Sequence, residues 1–157
     1  MSDRMDYSIV IPVYNGSGSV EKLFDRLNSV FGNIGKTWQV IFVDDNSIDN
    51  SWEILKKLKK ENSFVKIIRL NKNYGQHNAV LCGFEYCDGK FVISMDDDLQ
   101  HPPEEIPKLI KRINEGYDVV IASFKVKKHG IFKNLASSLF HRFNMWMLEV
   151  PRNLKYT

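Results

Sequence analysis

Apolar runs rich in β-forming residues alternate with segments of helical period along most of this chain, at a nearly constant interval. Residues 7–13, 38–43, 65–70, 91–95 and 117–123 read as strands, starting every 26 to 31 residues. Residues 20–31, 50–61, 76–87 and 103–114 read as the helices between them. In the first helix positions 20, 23, 24, 27, 30 and 31 are apolar. In the second, Asn50 and Glu53 form a capping pair, and Trp52, Leu55 and Leu58 mark the inner face. Strands separated by helices cannot close as hairpins, so the chain is expected to form an α/β fold, a mainly parallel sheet with helices on both faces. Its 157 residues, 43% hydrophobic and 26% charged, suit one globular domain with a core of its own.

Ligands of such sheets bind outside the carboxyl ends of the strands, where strand order reverses. Polar residues gather at those ends here. Strand one runs into Pro12-Val13-Tyr14-Asn15-Gly16, strand two into Asp44-Asp45-Asn46-Ser47, strand three into Asn71-Lys72-Asn73-Tyr74-Gly75, and strand four into Asp96-Asp97-Asp98. Any one of these is an ordinary turn composition, but four at the same edge argue for a site. Continued strand alternation would turn Asp96 and Asp98 to one side and Asp97 to the other. Converging carboxylates repel unless a cation lies between them. A hard divalent ion, Mg2+ or Mn2+, takes such oxygen ligands and shares the rest of its shell with water and substrate phosphates. Taken alone, a solvated acidic loop capping the next helix would look the same.

Phosphate-cradling glycine loops do not account for the site. Gly16-Ser17-Gly18 lacks the third glycine of a dinucleotide fingerprint, and no Lys-Ser/Thr pair follows to make a P-loop. What remains is a nucleotide site built from acids and a metal, in which Asp45 could accept hydrogen bonds from a base edge and Tyr14 could lie flat on a ring. A nucleotidyltransferase would normally show a glycine-rich basic loop near its start, and no cation follows Gly16 until Lys22. A binding module without turnover would share the same residues.

The net charge of +3 is unevenly spread. Residues 1–124 hold 15 Lys and Arg against 18 Asp and Glu, whereas residues 125–157 hold 7 against 1, leaving the body at −3 and the tail at +6. A tail of that charge faces something anionic, and with no helix-turn-helix, zinc-finger or aromatic RNA-binding signature, nucleic acid is not the expected partner. Within 131–148, Phe132, Leu135, Leu139, Phe143, Trp146 and Met147 recur at helical spacing among Lys133, His141 and Arg142. That is a helix packed on the sheet or one lying on a bilayer surface. No apolar run approaches a membrane span, and residues 1–6 are too polar for a secretory signal. Cys82 and Cys87 have neither a C-x-x-C nor a zinc spacing and are expected to be buried free thiols.

The segments Ile9-Val-Ile-Pro-Val-Tyr-Asn15, Val43-Asp-Asp-Asn-Ser-x-Asp49, Asn73-Tyr-Gly-Gln76 and Met95-Asp-Asp-Asp-Leu-Gln-His-Pro-Pro103 together resemble the ordered motifs of the inverting family 2 glycosyltransferases of GT-A fold, a Rossmann-like sheet. Within that family the chain is most similar to the polyprenyl-phosphate sugar transferases, which include dolichyl- and undecaprenyl-phosphate enzymes. The resemblance implies that Pro12, Tyr14 and Asp45 hold the nucleoside, with Asn15 and Asp97 in the same nucleotide-binding set. Asp96 would contact the ribose or metal, Asp98 would be the main metal ligand and the catalytic carboxylate, and Gln100 a further ligand; His77 and His101 have no ligand role. The donor would be a UDP- or GDP-sugar with Mg2+ or Mn2+, and the acceptor a lipid phosphate. A hydroxyl acceptor would need a general base, but a phosphate is already an anion and needs only to be desolvated and aimed. A saccharide hydroxyl in polysaccharide synthesis is the alternative acceptor.

Two positions depart from the pattern without removing a ligand: Gly16, where the family often has Glu, and Asp97, where the Asp-x-Asp motif usually holds a small residue. A third departure is Lys125 and Lys128 in place of the paired arginines that such enzymes carry for the acceptor phosphate. Lysine keeps the charge but loses the bidentate fork. The resemblance further implies a cytoplasmic protein peripheral to the cytoplasmic face of a membrane, with 125–157 on the acceptor side, and leaves homo-oligomers open. Such enzymes usually continue past the position of Thr157, so a chain truncated at its C-terminus is expected.

Overall fold

The computed structural model describes residues 5–122. They fall in two compact units, one up to Lys108 and one from Leu109.

Among the described residues four strands form the sheet: β1 (Tyr7–Val13), β2 (Trp38–Asp44), β3 (Val65–Arg69) and β4 (Phe91–Ser94). Their order is β3-β2-β1-β4 and every pairing is parallel, as the alternating pattern requires. The chain steps outward from β1 to β3 and then returns to β1's other side, so strand order reverses between β1 and β4. The ladder from β1 to β2 runs the full length, Tyr7↔Trp38 to Val13↔Asp44, whereas β4 stops at Val10↔Ser94. β1 therefore projects beyond β4 at the carboxyl edge and leaves a crevice there. Pro12 fits this geometry. Val10 accepts a hydrogen bond from Met95 N (3.2 Å) and Val13 accepts one from Asp45 N (2.8 Å), so even-numbered residues of β1 face β4 and odd-numbered ones face β2. Pro12 thus lacks its N–H on the side that β4 has already left.

Helices α1 (Val20–Ile34), α2 (Ser51–Glu61) and α3 (Gln76–Phe84) cover the sheet. Side-chain alternation assigns their faces. Tyr7 packs on Phe31 of α1 with ring centroids 5.8 Å apart, so Tyr7, Ile9, Ile11 and Val13 face α1, and α2 packs beside α1. Val10 faces α3. A Cβ on Gly83 of α3 would run into Val10 Cγ1 and come within 3.2 Å of Val43 Cγ2, a glycine set by helix-to-sheet distance rather than backbone angle. The first face holds the larger core, with Ile9, Ile11, Leu23, Leu27, Phe31, Phe42 and Leu55 fully buried. At the amino edge Trp38 stacks on Phe31 at 4.7 Å and meets Phe64 at a tilt, with centroids 4.9 Å apart. Aromatic packing thus holds one end of the sheet and leaves the other to polar loops.

Several expectations are corrected. The helix over 20–31 runs on to Ile34 and ends where Gly35, at φ 66°, donates to Phe31 O (3.1 Å). The Asn50–Glu53 capping pair does not form. Asp49, one residue before Asn50, reaches the helix start instead and accepts from Ser51 N (3.0 Å) and Ser51 Oγ, while Glu53 pairs with Lys56. Trp52 is only partly buried and carries the Arg69 guanidinium on its ring, 5.4 Å from the centroid. α3 ends at Phe84, not 87, and Cys82 and Cys87 are free but half-buried. Pro103–Glu105 is a 3-10 turn, and the helix proper, α4, is Ile106–Ile113. Residues 117–122 are not a strand. Tyr117, Val119 and Ile121 alternate as a strand requires, yet all three are exposed, and alternation without a ladder partner does not make a strand.

Candidate functional site

The crevice at the carboxyl edge is a cleft of about 300 Å3 lined by Pro12, Val13 and Tyr14 after β1, Asp45 after β2, Asn73, Gly75 and Gln76 around the start of α3, and Asp96, Asp97 and Asp98 after β4. It lies where strand order reverses. That volume is at the lower end of ligand pockets, suited to one part of a nucleotide rather than the whole of a large ligand.

Cross-loop hydrogen bonds hold the first two loops together. Asn15 N donates to Ser47 Oγ (3.0 Å), Ile48 N to Asn15 Oδ1 (3.0 Å) and Ser17 N to Asp49 Oδ2 (3.0 Å). Asn15 and Asn46 adopt left-handed backbone, φ 56° and 60°, which asparagine tolerates. Asn15 is outside the cleft lining: its side chain braces the Ser47–Asp49 loop. Burial opposes ionisation of Asp49, but the bonds from Ser51 and Ser17 outweigh it and lower its carboxyl to about 2.

Asp44 and Asp45 have opposite surroundings. Asp44 is fully buried, accepts from Ser47 N (3.2 Å), and has Arg69 Nε 3.1 Å from Oδ2 as an ion pair without hydrogen-bond alignment. Arg69 also donates to Ser47 O (3.1 Å). Arg69 has no place in the sequence-based site, although the register pairs it with Asp44. Asp45 lines the cleft, and its carboxylate is engaged on both oxygens by Tyr74 N (2.7 Å) and Gly75 N (2.8 Å). A base edge would therefore meet an acceptor already oriented by two amides. Those bonds also fix the turn at Gly75, φ 88°, that starts α3. Gln76, first residue of α3, in turn donates through Nε2 to Asp96 Oδ1. A chain of contacts thus runs from Asp45 to Asp96. The Asn73–Gln76 segment was visible as a motif, but the lining roles of Asn73, Gly75 and Gln76 depend on this folding and were not assigned.

β4 ends at Ser94, so strand alternation does not reach the aspartates, and local contacts set their directions instead. Asp96 faces Gln76. Asp98 Oδ1 accepts from Gln100 N (2.9 Å), closing a turn that forces Leu99 to φ 61°, a conformation costing a branched side chain about 1–2 kcal/mol. Asp97 turns toward Gly16, with Oδ2 buried and without a hydrogen-bond partner. Burial, then the charges of Asp98, Asp96 and Asp49, pushes its carboxyl up to about 6 against a backbone hydrogen bond that lowers it. Gln100 is exposed and outside the lining.

Among the described residues no group of three or more His, Cys, Asp or Glu side chains forms a metal cage. A hard ion bound largely by substrate phosphates needs only one or two carboxylates, so the oxygen donors of Asp96 and Asp98 fit Mg2+ or Mn2+ as a ligand-completed site. Lys125, Lys128 and the rest of 125–157 lie outside the described residues.

The described residues thus form a parallel α/β sheet with an acid-lined crevice at its switch point. Residues 8–157 match Glycosyl transferase family 2, and the chain belongs to that family. TarS from S. aureus (residues 1–349) shares the fold at TM-score 0.62 and 24% identity, over 81% of this chain and 38% of that 1–349 chain. The mannosyltransferase PcManGT from Pyrobaculum calidifontis, solved with GDP-Man and Mn2+, does so at TM-score 0.64 and 19% identity, over 85% of this chain and 39% of that one. The match thus spans about two fifths of the length of TarS 1–349 and of PcManGT, and at these identities the likeness is one of GT-A fold.

Proposed function

We propose that this chain is the donor-binding part of a glycosyltransferase that moves a sugar from a nucleoside diphosphate sugar to a polyprenyl phosphate, with a divalent metal on the diphosphate. The observation that carries this is the convergence of Asp45, Asp96, Asp97 and Asp98 on one crevice at the switch point, in a member of family 2. PcManGT, of the same fold, was solved with GDP-Man and Mn2+, and TarS, at TM-score 0.56 and 23% identity, with UDP, which supports a nucleotide-sugar donor.

In this reading Pro12, Tyr14 and Asp45 receive the nucleoside. Tyr14, half-exposed at the cleft, offers a ring face, and Asp45 an acceptor fixed by two amides. Asp96, oriented by Gln76, meets the ribose or metal; Asp98 is the metal carboxylate, and Gln100 adds a ligand only by turning its side chain inward. When bound, the ion acts as a Lewis acid for the negative charge that builds on the departing diphosphate. Asn15 contributes by bracing the loops. An anionic acceptor would be met by Lys125, Lys128 and the basic 125–157 segment at a cytoplasmic membrane face. Among the described residues no helix is long and apolar enough to cross a membrane.

The test is transfer of labelled sugar from UDP- and GDP-sugars, with Mn2+, to a short-chain polyprenyl phosphate. Label entering the organic phase only when acceptor and metal are both present is the expected result. Label passing instead to a saccharide acceptor would replace the lipid phosphate with a hydroxyl acceptor.

A further inference from the structure

Gly16 is a glycine for lack of space, not for backbone freedom. Its φ is not among the positive ones, so an L-residue could adopt its backbone. A Cβ there would nevertheless fall on Asp97 Oδ2 and come within 3.2 Å of Asp97 Cγ and of Val13 Cγ1. Val13 is fully buried in β1 and cannot move aside. Nor can Gly16 itself: its carbonyl accepts from Ser19 N (3.0 Å), Ser19 Oγ (3.1 Å) and Val20 N (3.1 Å) at the start of α1, and the next amide, Ser17 N, is tied to Asp49. The loop after β4 has no ladder to follow past Met95, and in it Asp97 is the residue that meets Gly16.

We propose that Gly16 and Asp97 act as one positioning unit: the missing side chain at 16 is the seat of the Asp97 carboxylate, and this seat keeps that carboxylate clear of Asp96 and Asp98, whose own directions the Gln76 side chain and the Gln100 amide set. Its ligand readout rests on the nucleotide reading above. Any side chain at 16 expels Asp97 toward Asp96 and Asp98, bringing a third negative charge beside two that must receive a ligand. Asp97 here is a positioning residue.

A four-protein cycle tests this: wild type, Gly16→Ala, Asp97→Ala and the double variant, each titrated calorimetrically with UDP and GDP in Mn2+ and each melted. Gly16→Ala is expected to weaken Mn2+-dependent nucleotide binding at least tenfold, and Asp97→Ala several-fold. The double variant should bind no more weakly than Asp97→Ala alone, because the added methyl then fills an empty seat. An equal loss from Gly16→Ala in both backgrounds would overturn the proposal, as would a lowered melting temperature with unchanged affinity. If wild type binds neither nucleotide, the donor reading fails, and the positioning unit is judged from the amide resonances of Asp96 and Asp98. Gly16→Ala should shift them and Asp97→Ala should abolish that further shift; unmoved resonances would overturn it. Should Gly16→Ala not fold, Asp97→Ala alone decides, unchanged affinity and resonances counting against the seat.

Discussion

At the scale of single residues, the site depends on carboxylates that serve backbone amides. Asp49 joins the start of α2 to the β1–α1 loop through Ser51 and Ser17. Asp49→Ala is expected to cost about 1 kcal/mol of stability, the usual value of such a cap. Its pH dependence follows from the direction of its shift. A carboxyl lowered from 3.8 to about 2 on folding stabilises fully above about pH 4 and loses that contribution as pH falls toward 2. Melts of wild type and Asp49→Ala should therefore differ at pH 6 and converge near pH 2. Asp45→Asn is expected to be worse. Its amide NH2 would oppose one of the two donors now bound at 2.7 and 2.8 Å, at a cost of about 1–3 kcal/mol measured by denaturant titration. A variant as stable as wild type would mean that the Tyr74–Gly75 turn holds without this carboxylate.

At the scale of elements, α3 matters most because it sets the height of Gln76 and Gly75 above the sheet. Gly83→Ala pushes a methyl into Val10 and Val43 and is expected to cost about 1–3 kcal/mol by overpacking, read as a lowered melting temperature. Periodicity made β1, β2 and α2 legible to within about a residue at each end, since each has one dominant apolar pattern. It failed where the pattern was not the deciding quantity. The 117–123 run alternates correctly but has no partner in the described sheet, and the Asn50–Glu53 pair lost to Asp49, a competitor one residue away. In the site, Pro12, Tyr14, Asp45 and the three aspartates could be placed because they end strands. Asn15's bracing role, Arg69's pairing with Asp44 and the Gly16–Asp97 contact could not, because each depends on two loops meeting.

At the scale of the whole molecule, the body and the tail carry opposite charge, −3 over residues 1–124 and +6 over 125–157. If the tail meets a lipid surface, the protein should cosediment with vesicles containing anionic lipid and be released as salt rises. Each basic residue contributes about 1 kcal/mol at most and is screened within a Debye length. Replacing Lys125, Lys127, Lys128 and Lys133 with Gln should abolish that binding and leave nucleotide affinity unchanged. Loss of nucleotide affinity instead would assign the segment to the donor site.

The donor site itself is tested most directly by calorimetric titration of UDP and GDP into the protein, once with Mn2+ and once with excess EDTA, and again into Asp98→Asn. A diphosphate facing Asp96 and Asp98 without a cation meets like charge. Binding of at least one nucleotide with Mn2+, lost in EDTA and lost in Asp98→Asn, is the expected result. Equal binding in EDTA, or an Asp98→Asn variant that binds as wild type does, would contradict a metal-bridged nucleotide at the carboxyl edge of this sheet.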